Sequence, residues 1–413
     1  MRKASLGTIF LTVFLDLLGF GLVVPYLPGV ARDHGASPLV ATLLGAAYSA
    51  MQFLFVPFWG HLSDRTGRRP ILLASIAASA IAMAALGMVD SLAGLFVARI
   101  FAGIATANIA VAAAYIADVT KPEERARGMG MIGAAIGLGF VLGPVIGGLL
   151  QAHSPIERVG ALPAFAAAAL SLLNLLFAAL FLPESLAEAD RGKKVRSASP
   201  LDLQRFRVAL AIDGVAAAVL VQFIVTLSFS GLEQTFRLFT EDGFHLGAKE
   251  TGYILGVVGV TLILVQGALI RPLRKVFGER TLVRAGAAIE AAGFAVVAMS
   301  PVLLGGSVPI LVVGMAVIAL GSGLVNPCLS AHVSRLGAAE GQGAILGVLQ
   351  ASGALARVFG PASGGLLYQT LGPRAPYATG VFGMLLAAAL SIRLRDPGPT
   401  EASVPLPAGG DAP

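Results

Sequence analysis

Apolar runs of about 20 residues follow one another from end to end of the chain, parted by short polar stretches. That spacing predicts membrane-spanning helices, since about 20 residues at ~1.5 Å rise cross a hydrocarbon core about 30 Å thick. Twelve spans are predicted, at 6–29, 38–59, 70–89, 92–117, 129–150, 161–182, 208–236, 251–270, 281–299, 308–331, 343–370 and 376–393. The one long polar stretch inside the chain, Pro183 to Arg207, carries Arg191, Lys193, Lys194 and Arg196 and divides the spans evenly. The predicted organisation is therefore a six-helix bundle over 1–182, a cytoplasmic linker over 183–207, a second six-helix bundle over 208–395 and a disordered Pro-, Gly- and Ala-rich cytoplasmic tail over 396–413. The fold class is an all-α polytopic membrane protein of two pseudo-symmetric six-helix bundles.

Composition agrees. Of 413 residues 56% are hydrophobic and only 13% charged, against about 25% charge in soluble domains. Asp16 interrupts the first apolar run, and no small-residue cleavage site follows it, so that run is read as a span and not as a removed leader. The single cysteine, Cys328, excludes a disulfide framework, and the five histidines form no metal pattern. No metal, cofactor or nucleic-acid partner is expected. The net charge of +6 lies in the loops between spans. Of the 29 Lys and Arg residues, 22 fall on one side of the predicted topology and five (Arg32, Arg158, Arg237, Lys249 and Arg374) on the other. The positive-inside bias then places both termini in the cytoplasm of a cell inner (plasma) membrane.

The densest polar cluster is the hairpin between spans 2 and 3, Gly60 to Pro70, with Asp64, Arg65, Arg68 and Arg69. Gly67 permits a tight turn there, and Asp64 is expected to accept hydrogen bonds at a helix N-terminus. Asp118 and Arg125, with Glu123 and Glu124, follow span 4 on the same face and are expected to join it in a cytoplasmic latch. By pseudo-symmetry Asp64 should meet the start of span 11 near residues 341–343. Gly143-Pro144 with Gly147-Gly148 in span 5 recurs as Gly360-Pro361 with Gly364-Gly365 in span 11, which marks an internal repeat. The opening hairpin has a weaker counterpart, with Arg271 where Asp64 stands, so the latch is expected to be one-sided. The small-residue face of span 5 is expected to pack on span 8, which offers Gly252, Gly256 and Gly259.

Charges inside spans are costly, at least ~2.5 kcal/mol for an arginine on insertion scales, so they should face a cavity and find partners. Arg99 and Arg357 are such arginines, and Asp16 is the expected partner of Arg99. Glu290 and Glu233 are the other candidate proton carriers, because a carboxylate in a low-dielectric site binds and releases its proton nearer neutral pH. Gln52, Asn108, Gln222, Gln266, Asn326 and Gln350, with Arg357, are the candidate substrate-cavity residues; each uncharged one equally suits an interhelical hydrogen bond.

The stretch GHLSDRTGRRP resembles the signature loop of the major facilitator superfamily. Asp16-Leu-Leu-Gly19 with Pro25 and Pro28 resembles the helix 1 motif of its drug:proton antiporters. Arg99-Ile-Phe-Ala-Gly103 is similar to their helix 4 arginine motif. Gly130, Gly139, Gly143, Pro144, Gly147 and Gly148 match their helix 5 antiporter motif. The stretches AAYSAMQFLFVPFWG, AAAYIADVTKPEERAR and LFLPES, and GER at 278–280, look closest to the tetracycline exporters. The resemblance implies a non-enzymatic, monomeric secondary transporter that exchanges protons for a small amphipathic compound, driven by the proton gradient, with Arg99 tied to proton coupling. It departs from those exporters at Ala82 and Leu262, where they carry an aspartate and a histidine, which argues against a metal-chelated drug. The alternative is proton-coupled or facilitated uptake of a sugar or other small metabolite. Scarcity of cavity aromatics, with Trp59 the single tryptophan, argues against sugar stacking.

Overall fold

The computed structural model describes the backbone of residues 6–120, 125–153, 160–188, 191–192, 210–211, 214–336 and 342–394. Side chains of 125–130, 132–133, 136, 140, 304 and 342–344 lie outside that description, which leaves out Arg125 and the surroundings of Gly130. Glu123, Glu124, most of the predicted linker, the tail from 395 and the predicted meeting point of Asp64 with 341–343 lie outside it as well.

The described residues form helices and no strand. They are α1 (Leu6–Asp33), α2 (Pro38–Thr66), α3 (Arg68–Met88), α4 (Leu92–Val119), α5 (Arg125–Ala152), α6 (Ala161–Phe181) and α7 (Val215–Phe244). Then come α8 (248–277), α9 (279–299), α10 (Val308–Leu336), α11 (Gln342–Leu371) and α12 (Ala375–Leu390). The helical run Ala248–Met299 is two passes, because the chain reverses at Gly278, whose φ of 72° only glycine adopts readily. The reversal shows in the packing: α10 meets Leu262 and Val265 at Gly323 and meets Gly286 at Gly321, so residues some twenty apart in sequence lie at one level. Two six-helix bundles result, α1–α6 and α7–α12.

The helices outrun the apolar spans. α7 is displaced most: predicted over 208–236, it runs from Gly214, left-handed at φ 86°, to His245, left-handed at φ 54°. Its last turns are polar yet helical because their charges are paired. Arg237 reaches Glu241 at 3.1 Å, and Asp242 takes Arg32 of α1 at 2.6 Å. Hydropathy marks the desolvated part of a helix, and paired charges extend it beyond that part.

The glycine motifs are organised differently from the expectation. Gly139, Gly143 and Gly147 do not face α8; they face α1, where a Cβ on Gly143 would stand 2.6 Å from the Gly21 Cα. Gly148 alone of the motif's resolved glycines crosses to α8, against Ala248 and Gly252. The α8 glycines receive side chains from α5, Val145 at Gly256 and Val141 at Gly259. α11 repeats the arrangement, with Gly360 and Gly364 on Ser230 and Gly231 of α7 and Gly365 against Thr42 and Leu39 of α2. In each copy of Gly-Pro-x-x-Gly-Gly, then, the first two glycines seal a half and the last one joins the halves. One face of a helix cannot serve two neighbours, and adjacent glycines about 100° apart on the helix divide the work.

Candidate substrate cavity and gates

The two seams between the halves, α5 with α8 and α2 with α11, touch toward one end of the bundle. There Gly148 meets Gly252, Thr42 meets Gly365, Leu39 N–H donates to Gln369 at 3.3 Å, and Asp242 accepts from both Arg32 and Tyr368 (2.6 Å). Toward the opposite end, which carries the Gly60–Pro70 hairpin, the seams spread. Gly137 on α5 and Gly267 on α8 would meet nothing within 4 Å. A cavity of about 210 Å³ lies between the halves. Pockets that enclose a drug-sized ligand run to about 300–1,000 Å³, so this cavity is smaller than such a pocket.

Four charged groups line it: Asp16 of α1, Arg99 of α4, Glu233 of α7 and Arg357 of α11. One acid and one arginine come from each half. The expected Asp16–Arg99 pair does not form. Arg99, 1% exposed, instead lies over the Tyr48 ring at 4.2 Å, with Phe20 at 6.0 Å, and its Nε and Nη1 have no hydrogen-bond partner. A flat guanidinium stacks on an aromatic face where an ammonium would not sit as well. Tyr48 gives no sign in the sequence beyond its place on the Gln52 face of α2, one turn away. Arg357 is exposed to the cavity, and Glu233 lies within electrostatic reach of both arginines.

The wall by Arg99 is a broken helix. α4 is interrupted between Ala105 and Ile109, and the carbonyls released there must be satisfied in the membrane. Trp59 Nε1 donates to Ile104 O (2.7 Å), Ser75 Oγ to Ala105 O (2.7 Å) and Gln52 Nε2 to Thr106 O (3.3 Å). Gln52 therefore lines the cavity while bracing its wall. Asn108 donates to Ser75 and stands beside Asp16.

The remaining candidates separate. Gln222 and Asn326 are in reach of each other at 3.5 Å, and Asn326 contacts Ser322, in a cluster within the second half apart from the cavity. Glu290 is buried on α9 against Gly321 at 1% exposure, with Ser322 beside its carboxylate, and is not among the residues that line the cavity. Gln266 is exposed, because the π-helical turn Val265–Leu269 adds a residue and rotates it off the expected face. Gln350 is exposed two turns from Arg357, toward the mouth.

At the hairpin, Arg68 is the centre. It pairs with Asp64 at 2.7 Å and Asp118 at 3.2 Å and donates to Ser63. Asp64 still belongs to the last turn of α2, and the residue that caps α3 is Glu184. Its carboxylate accepts from Arg68 N (2.8 Å), Arg69 N (3.2 Å), Ser185 N and Leu186 N. Gly67, at φ 105°, leaves room for that carboxylate. Arg69 extends to Ala179 O, and Arg65 is exposed. The only sequence sign of Glu184 is the LFLPES stretch after α6. Glu184→Ala is expected to lower stability by about 1–2 kcal/mol, as loss of a helix cap does; thermal unfolding in detergent at an unchanged Tm would count against this role.

Twelve helices among the described residues, in two halves around a charged central cavity, define a membrane transporter for a small molecule. The chain belongs to the Major Facilitator Superfamily, whose family model matches residues 9–289 and 267–411. It is 38% identical over 356 residues to the class C tetracycline resistance protein of Escherichia coli, covering 85% of this chain and 86% of that one. It is 32% identical to major facilitator superfamily domain-containing protein 10 of Bos taurus, covering 90% and 88%. The crystal structure of the human organic anion transporter MFSD10 superposes with a TM-score of 0.71 at 29% identity, over 94% of this chain and 98% of that one.

Proposed function

We propose that the protein is a proton-coupled antiporter that exports a small amphipathic compound across the plasma membrane by alternating access. The observation that carries this reading is the central cavity, where two acids and two arginines, one of each per half, face each other without forming an ion pair. Charges inside membrane spans that form no ion pair are retained where they act on something that comes and goes. Protons that load Asp16 or Glu233 change the field at Arg99 and Arg357, and coupling follows if substrate and proton prefer different states. The Lys and Arg distribution puts the hairpin end in the cytoplasm, so the described state is inward-open. Similarity to tetracycline resistance proteins supports export.

The Arg99 guanidinium, with Nε and Nη1 free of hydrogen-bond partners, favours a second reading of the cargo, an organic anion, in line with the similar human organic anion transporter. Both readings are tested by one assay. Purified protein in liposomes holding a pH-sensitive dye is given tetracycline, ethidium or carboxyfluorescein. Substrate-driven proton movement is expected, and Asp16→Asn and Glu233→Gln are each expected to reduce it more than about tenfold. Full movement in both variants would remove the acids from the coupling mechanism. Response to the carboxylated dye alone would select the anion reading.

A further inference from the structure

Successive turns of α2 meet the second half one after another. Leu39 N–H donates to Gln369, Thr42 faces Gly365, and Gly45 faces Gln234 of α7. The next residues along that face, Ser49 and Gln52, line the cavity. α7 has the same order. Arg237 lies against Gly29 of α1, Gln234 follows one turn inward, and Ser230 and Glu233 line the cavity. Gln234 and Gly45 line it too, so their contact is the innermost rung of this ladder. The fit is close: a Cβ at position 45 would stand 2.6 Å from the carboxamide carbon of Gln234 and 3.1 Å from its Cγ. The side chain that α2 lacks at this point is the seat of the α7 amide.

A seal at this rung needs only length and volume, and methionine supplies both without a polar group. Gln234 is 6% exposed, and its carboxamide makes no hydrogen bond to any of the described residues. Burying an amide unpaired costs free energy that a seal has no use for. The side chain borders the cavity, where it offers N–H donors and a carbonyl acceptor to whatever enters. We infer that Gln234 is a cargo-reading residue: seated in the Gly45 notch, its carboxamide bonds a hydroxyl, carbonyl or amide group of the transported compound. The inference rests on the antiport reading and narrows its cargo to compounds that carry such a group. The notch also makes the reading depend on state. Gly45 moves with the first half and Gln234 with the second, so the amide leaves its seat when the closed end opens. A cargo held by it then binds the two states differently, as coupling requires.

Gln234→Met keeps the fill of the notch and removes only the carboxamide. The probes are tetracycline and carboxyfluorescein, which carry carbonyl and hydroxyl groups, and tetraphenylphosphonium, which has no hydrogen-bonding group. In the purified full chain, Gln234→Met is expected to raise the Kd of whichever of the first two binds more than about tenfold, while Tm stays level or rises. Gly45→Ala displaces the carboxamide without removing it. It is expected to raise the same Kd more than about threefold in the parent and to have no effect on Kd in a Gln234→Ala background, where no carboxamide is left to displace. A contact that only seals would show in Tm and leave the Kd of Gln234→Met at the parent value. Equal Kd in the parent and Gln234→Met would therefore overturn the reading role and leave antiport standing. So would a parent that binds tetraphenylphosphonium and neither of the other probes. A parent that binds none of the three and moves no protons in the liposome assay would overturn both.

Discussion

Gly143→Val is expected to reduce the folded protein recovered from membranes more than about tenfold, or to lower its stability by at least about 3 kcal/mol, the upper end of overpacking costs. A Cβ at 143 would stand 2.6 Å from the Gly21 Cα and 2.7 Å from its carbonyl carbon. The opposing atoms are backbone, so no rotamer change relieves the clash. α1 would have to move as a unit and leave Gly139 and Gly147 without their close contact. Leu142→Val, one residue away on the exposed face, is the control and should be neutral. Size-exclusion profiles and Tm in detergent provide the measurement. A Gly143→Val protein that elutes and melts like the parent would show that the α1–α5 seam is loose.

Arg99→Leu is expected to separate stability from activity. Transport should fall more than about tenfold, because the cavity loses the cation aimed into it from the first half. Stability should stay level or rise, because the substitution removes a buried charge with two unpaired N–H donors and leaves an apolar group of fitting size. Arg99→Lys should be intermediate in transport, since an ammonium keeps the charge and loses the stacking on Tyr48. Proton movement in liposomes and Tm, taken on the same preparations, check both halves of the statement. Lower stability with retained transport would identify Arg99 as a structural brace.

Much of the fold was legible in the pattern of apolar positions, because a bilayer imposes one simple rule on every segment that crosses it. That rule is silent on pairing. Asp16 and Arg99 share a half and a depth, yet the aromatic face of Tyr48, one turn from Gln52, claims the guanidinium. The cap of α3 is Glu184, more than a hundred residues after the turn it closes, because α6 ends beside that turn. The charges of the last turns of α7 read as the end of a span and instead join the halves at the far end, with Asp242 gathering Arg32 and Tyr368.

The sequence by itself determined the number of passes, the division into halves, the charged hairpin and the repeat of Gly-Pro-x-x-Gly-Gly. All of these are periodicities or local patterns, fixed by the cost of polar groups in hydrocarbon and by turns that need glycine. Only the tertiary structure decided which neighbour each glycine meets and which acid joins which arginine. Those depend on the rotation of each helix about its axis, where a shift of one residue turns a side chain by about 100°. The rotation is set by packing against helices distant in the chain.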